Sequence, residues 1–148
     1  MKRREAIKLT ALATLGMAVS AQACPSKNSC STDSDKNRTL MAPKDAKNLT
    51  KAELKHTPLI TLGDKDANGY TLVEITVGQA GIIHPSVNGH WIDFISLYVD
   101  KKLVGTTELM AETSRGAAAF RVKLDGASFI TANAGCNIHG IWVSTIKL

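Results

Sequence analysis

Aromatic side chains are scarce: two Trp, two Tyr and three Phe make up 5% of 148 residues, too few for the ladder of stacked rings that grips single-stranded nucleic acid. Long apolar runs are missing as well. The best stretch, Leu9 to Val19, is diluted by Thr10, Thr14 and Gly16 and is about half the length of a membrane-spanning helix. Cysteine occurs three times and never as a C-x-x-C pair, which excludes a zinc or iron knot built from paired thiolates. The length leaves room for one ordinary domain and excludes a large multidomain enzyme. A single-signed charge is also lacking. The net charge is +5, from 18 basic and 13 acidic residues, but four of the basic residues (Lys2, Arg3, Arg4, Lys8) and one acidic residue (Glu5) fall in the first 23, leaving 14 against 12. A remainder of +2 favours small anions and makes no case for a nucleic-acid partner.

Residues 1–23 read as an export signal: a basic start, the short apolar stretch, and Ala21-Gln22-Ala23 as a small-x-small cleavage site. Arg3-Arg4-Glu5-Ala6-Ile7-Lys8 resembles the twin-arginine motif, with Ala6 where a bulky apolar residue is usual. The expected location is therefore the periplasm. Cys24 directly follows the cut and is a candidate for a lipid anchor, although Gln22 stands where lipoprotein signals prefer a small residue. Residues 24–50 are rich in Ser, Asp, Asn and Lys without apolar period and read as a solvated linker in which Cys24 and Cys30 are candidates to pair.

From Thr57 onward the period is two. Tyr70–Val77 and Trp91–Val99 alternate and are rich in β-branched residues, the mark of half-buried strands. Lys102–Leu109, Ala117–Leu124, Ser128–Ala134, Ile141–Leu148 and a short Leu59–Leu62 repeat the theme, with a turn at Asp125-Gly126. About seven short strands and no helical period after Lys55 predict an all-β fold, an immunoglobulin-like antiparallel β-sandwich over residues 51–148. Thr50-Lys51-Ala52-Glu53 carries the spacing of a helix-capping box.

Four histidines, His56, His84, His90 and His139, all fall at strand edges or in loops. His84 and His90 flank Pro85-Ser86-Val87-Asn88-Gly89, which can fold back so that both rings face one point. Cys136-Asn137-Ile138-His139, between Gly135 and Gly140, sets a thiol and an imidazole three residues apart in a turn, a spacing suited to one metal ion. Taken singly, such a histidine is usually a surface residue, Cys136 a buried filler, and Trp91 and Trp142 core aromatics. Their joint position at strand ends, which cluster at one end of a sandwich, favours a metal centre.

Lys55-His56-Thr57-Pro58, His84-Pro85, His90-Trp91-Ile92 and Cys136-Asn137-Ile138-His139-Gly140-Ile141-Trp142 together resemble the superoxide reductases, the neelaredoxin and desulfoferrodoxin group, in order and in spacing, over about Leu54 to Leu148. The resemblance implies one mononuclear non-haem iron per chain, Fe2+/Fe3+, with His56, His84, His90 and His139 equatorial and the Cys136 thiolate axial. It implies reduction of superoxide to hydrogen peroxide, with Lys55 as the catalytic residue that attracts the anion and orders a proton-donating water. Asn137 and the Ile138 and His139 amides are candidates to donate hydrogen bonds to the sulfur. Cys24 and Cys30 cannot build the four-cysteine module of two-iron members, so the one-iron type is indicated. Members usually carry Glu directly before the Lys-His pair; here Leu54 stands there and Glu53 is one residue early. If the chain is extended at that point, Glu53 faces away from the iron.

A reductase of this kind needs an electron donor, and no second redox centre is visible in the sequence, so the donor is external. A homo-oligomer is a candidate assembly. Two alternatives share the ligand types: a blue-copper-like periplasmic electron carrier, against which stand the absence of Met after His139 and two surplus histidines, and a non-catalytic metal-binding β-sandwich.

Overall fold

The computed structural model describes residues 35–148. The export signal, Cys24 and Cys30 lie outside the described residues. The elements run β1 (Leu40–Met41), α1 (Lys51–His56), β2 (Pro58–Lys65), β3 (Thr71–Val77), β4 (Ile92–Val99), β5 (Lys102–Glu108), β6 (Ala117–Val122), β7 (Phe129–Cys136) and β8 (Gly140–Lys147). They form two sheets, one ordered β1-β8-β7-β4-β5 and one ordered β2-β3-β6. Every pairing is antiparallel except β1 with β8. The expected all-β sandwich is what forms.

The core follows from the alternation. Val73, Ile75 and Val77 of β3 are buried while Glu74 and Thr76 face solvent, and Ile130, Ala132, Ala134 and Cys136 of β7 present the opposing face. In β4 the alternation breaks, because Ile92 pairs with Cys136 and Phe94 with Gly135, so that Asp93 is an extra residue with no partner across the ladder. This bulge brings Ile92 onto the same core as Ile95 and Leu97 despite the odd spacing. The Asp125-Gly126 turn does not close a hairpin; it carries the chain from β6 in one sheet to β7 in the other.

Two expectations need correction. Thr50 caps a helix that runs through His56: its side chain accepts from the Glu53 amide, and the Glu53 carboxylate accepts from the Thr50 amide. His56 therefore ends a helix, not a strand. Residues 35–50 are also more than a solvated linker. They form a strap across the β7–β8 turn: Asn37 N–H donates to Asn137 O at 2.7 Å, Ile141 N–H to Thr39 O at 2.8 Å, and β1 adds a parallel edge to β8. Ion pairs from Lys36 and Arg38 to Asp93 and a hydrogen bond from the Lys44 amide to Glu53 extend the contact. Polar composition concealed this, because the contact is made by backbone groups and charges instead of an apolar stripe.

Gly140 is where the strap crosses the turn. Its φ is +90°, and a Cβ there would sit 2.4 Å from Thr39 O. Gly140→Ala should therefore cost about 1–3 kcal/mol from the left-handed backbone and the backbone clash together, read as a lower urea midpoint at unchanged m-value. A midpoint equal to wild type would show that the strap does not press on the turn.

Candidate metal centre

Five chemistry-bearing residues meet at one end of the sandwich, each delivered by a different local device. His56 is the last residue of α1, whose C-terminus is held where Gln79 N–H donates to Leu54 O at 3.0 Å and Gln79 Nε2 to Thr57 O at 2.8 Å. His84 and His90 lie on the β3–β4 connection. That connection turns sharply at Gly78 (φ +100°), where a Cβ would meet Ile82 O at 2.5 Å. His90 pairs with Val87 across Asn88-Gly89, and Ser86 Oγ donates to Ser114 O at 2.6 Å, fixing the loop to its neighbour. Cys136 ends β7 and His139 lies in the turn to β8.

The four imidazoles form a ring. Neighbouring centroids are 4.8–4.9 Å apart in the order His56, His84, His90, His139 and back to His56, each pair edge to face, and the His56–His90 diagonal is 6.2 Å. Donor atoms of His56, His90, Cys136 and His139 all lie within 4.8 Å of one another. His84 is not in that set, but its ring closes the square between His56 and His90. His56 Nδ1–H donates to Ala52 O and His84 Nδ1–H to Pro85 O, both at 2.7 Å, which leaves each Nε2 lone pair available. His139 instead offers Nδ1, 3.0 Å from His56 Nε2 and 3.4 Å from Cys136 Sγ.

These residues fit a metal on two grounds. The buried Nε2 atoms of His84 and His90 have no hydrogen-bond partner, a cost of about 1–3 kcal/mol each that a cation would remove. Two nitrogens bound at right angles to one ion at about 2.1 Å lie about 3 Å apart, which matches the His56–His139 separation. A set of imidazoles and one thiolate suits a transition metal and not magnesium or calcium.

Burial tunes the ligands. It pushes His84 down to about 3, against which the hydrogen bond to Pro85 works only partly. Desolvation likewise lowers His56 and His90, so these rings are neutral ligands at pH 7. The Cys136 thiol is raised by burial, opposed by hydrogen bonds from the Ile138 and His139 amides. Those two amides do meet the sulfur, as expected. Asn137 does not: its N–H donates to Trp91 O at 3.1 Å, its Oδ1 accepts from Trp91 N–H at 2.9 Å and its Nδ2 donates to Gly89 O at 2.8 Å. It clasps the residues on either side of His90 to the Cys136–His139 turn, a contact across 46 to 48 residues that leaves no local signal in the sequence.

Lys55 is half-buried and lines a cavity of about 460 Å³ together with Asn37, Met41, His56, His139 and Trp142. Its charge bears on His56, His84, His90 and Cys136. Trp142 is buried, stacks on His56 at 5.3 Å and donates Nε1–H to His139 O at 3.2 Å, so it forms a wall of the site and is more than core filler. Glu53 is turned away by helical geometry and not by an extended chain, and its carboxylate is occupied by the Lys44 and Thr50 amides and the Thr50 hydroxyl at 2.8–2.9 Å. No carboxylate joins the donor set among the described residues.

An all-β sandwich with a histidine and cysteine metal centre at one end defines the class of protein. A model of the desulfoferrodoxin family matches residues 48–145, and the chain belongs to that family. It is 35% identical over 91 residues to a desulfoferrodoxin of Nitratidesulfovibrio vulgaris, covering 62% of this chain and 62% of that protein. It is 35% identical over 97 residues to a putative superoxide reductase of Methanocaldococcus jannaschii, covering 63% and 81%. The one-iron superoxide reductase of Giardia intestinalis superposes with a TM-score of 0.55 at 28% identity, over 64% of this chain and 98% of that one.

Metal uptake should release protons in the number that this electrostatics dictates. Because the lowered imidazoles are already neutral and the raised thiol is still protonated, adding one equivalent of ferrous ion under anaerobic conditions between pH 7 and 8 should release about one proton. Affinity should then fall about tenfold per unit as pH drops through that window. Calorimetry in buffers of different ionisation enthalpy measures the count, and three or more protons per metal would contradict it.

Proposed function

We propose that this protein is a superoxide reductase, an oxidoreductase that converts superoxide to hydrogen peroxide at one mononuclear non-haem iron held by His56, His84, His90, His139 and Cys136. The observation that carries the reading is the convergence of four imidazoles and one thiol on one point, with two buried Nε2 atoms left unpartnered. The likeness to the putative superoxide reductase of Methanocaldococcus jannaschii and to the one-iron superoxide reductase of Giardia intestinalis supports it. Bound in the ferrous state, iron would supply the single electron that, with two protons from solvent, turns superoxide into hydrogen peroxide.

The chain's own groups prepare that step. Cys136 brings a negative ligand whose lone pairs are partly occupied by the Ile138 and His139 amides, which moderates its donation. Lys55 borders the cavity beside His56 and His139, where its ammonium attracts a small anion and orders a water able to give a proton. Trp142 shields His56 from solvent. Asn137 and Gln79 hold the His90 loop and the end of α1, so the donors need not reorganise when the metal changes charge. Leu54 leaves this chain without the carboxylate that family members usually offer.

Cys136 is the free cysteine among the described residues, and the reading calls for an external electron donor at each turnover. A blue-copper site would leave two of the four imidazoles without a role. Periplasmic export by the twin-arginine route rests on residues 1–23 alone, and a lipid anchor on the place of Cys24.

Cys136→Ser should abolish the thiolate-to-ferric charge-transfer band in the visible and superoxide reduction in pulse mixing, while the far-ultraviolet dichroism stays that of a β-sandwich. A band that survives in this variant would remove Cys136 from the ligand set and sink the assignment. Lys55→Ala should leave the band in place, slow the second-order reaction with superoxide by about three- to tenfold and flatten its ionic-strength dependence. An unaltered rate would return Lys55 to an ordinary surface lysine.

A further inference from the structure

A buried charge outside the ligand set is Asp93, whose side chain is 5% exposed. It is the extra residue of the β4 bulge, between Ile92, which faces Cys136, and Phe94, which faces Gly135. A Cβ built on Gly135 would lie 2.7 Å from Asp93 Oδ1, so the carboxylate rests against the backbone directly preceding the ligand thiol. Bulges re-aim side chains next to functional sites, and this one sets a carboxylate against the strand residue that precedes Cys136, on the face of β7 opposite the Cys136 side chain.

A buried carboxylate is costly unless paired, and both observed cations come from the strap. Arg38 grips it with two nitrogens, Nη1 to Oδ1 at 3.2 Å and Nη2 to Oδ2 at 2.6 Å, and Lys36 Nζ lies 3.0 Å from Oδ2. The guanidinium also lies over Phe94 at 5.3 Å, and Lys36 over Trp91 at 6.0 Å. Strap, bulge and the residues beside His90 and Cys136 are thus joined through one carboxylate.

We propose that Asp93, balanced by Arg38 and Lys36, is an electrostatic positioning group for the iron centre: a buried charge cluster behind Cys136 that sets the balance between ferric and ferrous iron. The inference rests on the iron reading above. A negative charge near the thiolate stabilises the more highly charged ferric state and the strap cations oppose it, with the buried carboxylate screened less than the partly exposed cations. The charge of Asp93 is also among the influences that raise the Cys136 thiol.

A structural clamp and an electrostatic group predict different patterns. The test is a redox titration of the full, iron-loaded chain, following the visible band at fixed solution potential, with iron content measured alongside. Asp93→Asn removes the negative charge and should lower the ferric-to-ferrous ratio about tenfold, whereas Arg38→Met should raise it about threefold or more. Arg38→Lys, which keeps the charge but not the two-pronged geometry, should stay within about twofold of wild type, and Arg38→Met with Asp93→Asn should fall between the singles. The Arg38 side chain is 31% exposed, so its two variants decide the matter even if Asp93→Asn folds poorly. A ratio that both single variants leave unchanged, or move in the same direction, overturns the inference and reduces the cluster to a clamp. A wild-type protein that takes up no iron overturns the iron reading and this inference together.

Discussion

Four imidazoles and a thiol converge on a single point, and lone pairs brought together there repel one another unless a proton or a cation stands between them. His56 and His84 cannot turn this around locally, because their Nδ1 atoms are committed to the Ala52 and Pro85 carbonyls. The fold holds the set together with contacts that are not themselves at the centre. Gln79 ties the end of α1 to the loop after β3. Asn137 ties the His90 loop to the Cys136–His139 turn, and Asn37 binds Asn137 and Ile138 from the other side. The sandwich provides the stiffness and the loop hydrogen bonds provide the aim.

Charge is arranged around the same point. Burial keeps His56, His84 and His90 neutral and holds the Cys136 proton on, so these four groups carry little charge of their own without the metal. Lys55 on one side and the Asp93 cluster behind the sulfur are the nearby fixed charges of most consequence for the chemistry. On the proposed reading the first would draw an anion in, and the second would bias the state of the metal that meets it.

Much of this was legible in the sequence. Period-two alternation in Tyr70–Val77 and in the later strands survives because each sheet has one dry face, and the Thr50–Glu53 spacing announced a cap that the structure forms. The five candidate ligands were recognisable because they are rare residue types set at the ends of elements and in loops. What stayed hidden depends on contacts distant in sequence. The bulge at Asp93 shows only as an odd step between Ile92 and Ile95, which single-strand periodicity cannot distinguish from noise. The strap at 35–50 has the composition of a linker because it docks by backbone hydrogen bonds and ion pairs. Asn137 is a candidate hydrogen-bond donor to the sulfur because it neighbours Cys136, yet its amide and side chain are taken up by Gly89 and Trp91.

The central claim is that Cys136 and the histidine ring hold one iron. X-ray absorption at the iron edge of the oxidised, iron-loaded protein tests it directly. The account predicts a first shell of imidazole nitrogens with one sulfur, and loss of that sulfur alone in Cys136→Ser. A first shell without sulfur in the wild-type protein, or one made of oxygen ligands, would contradict it.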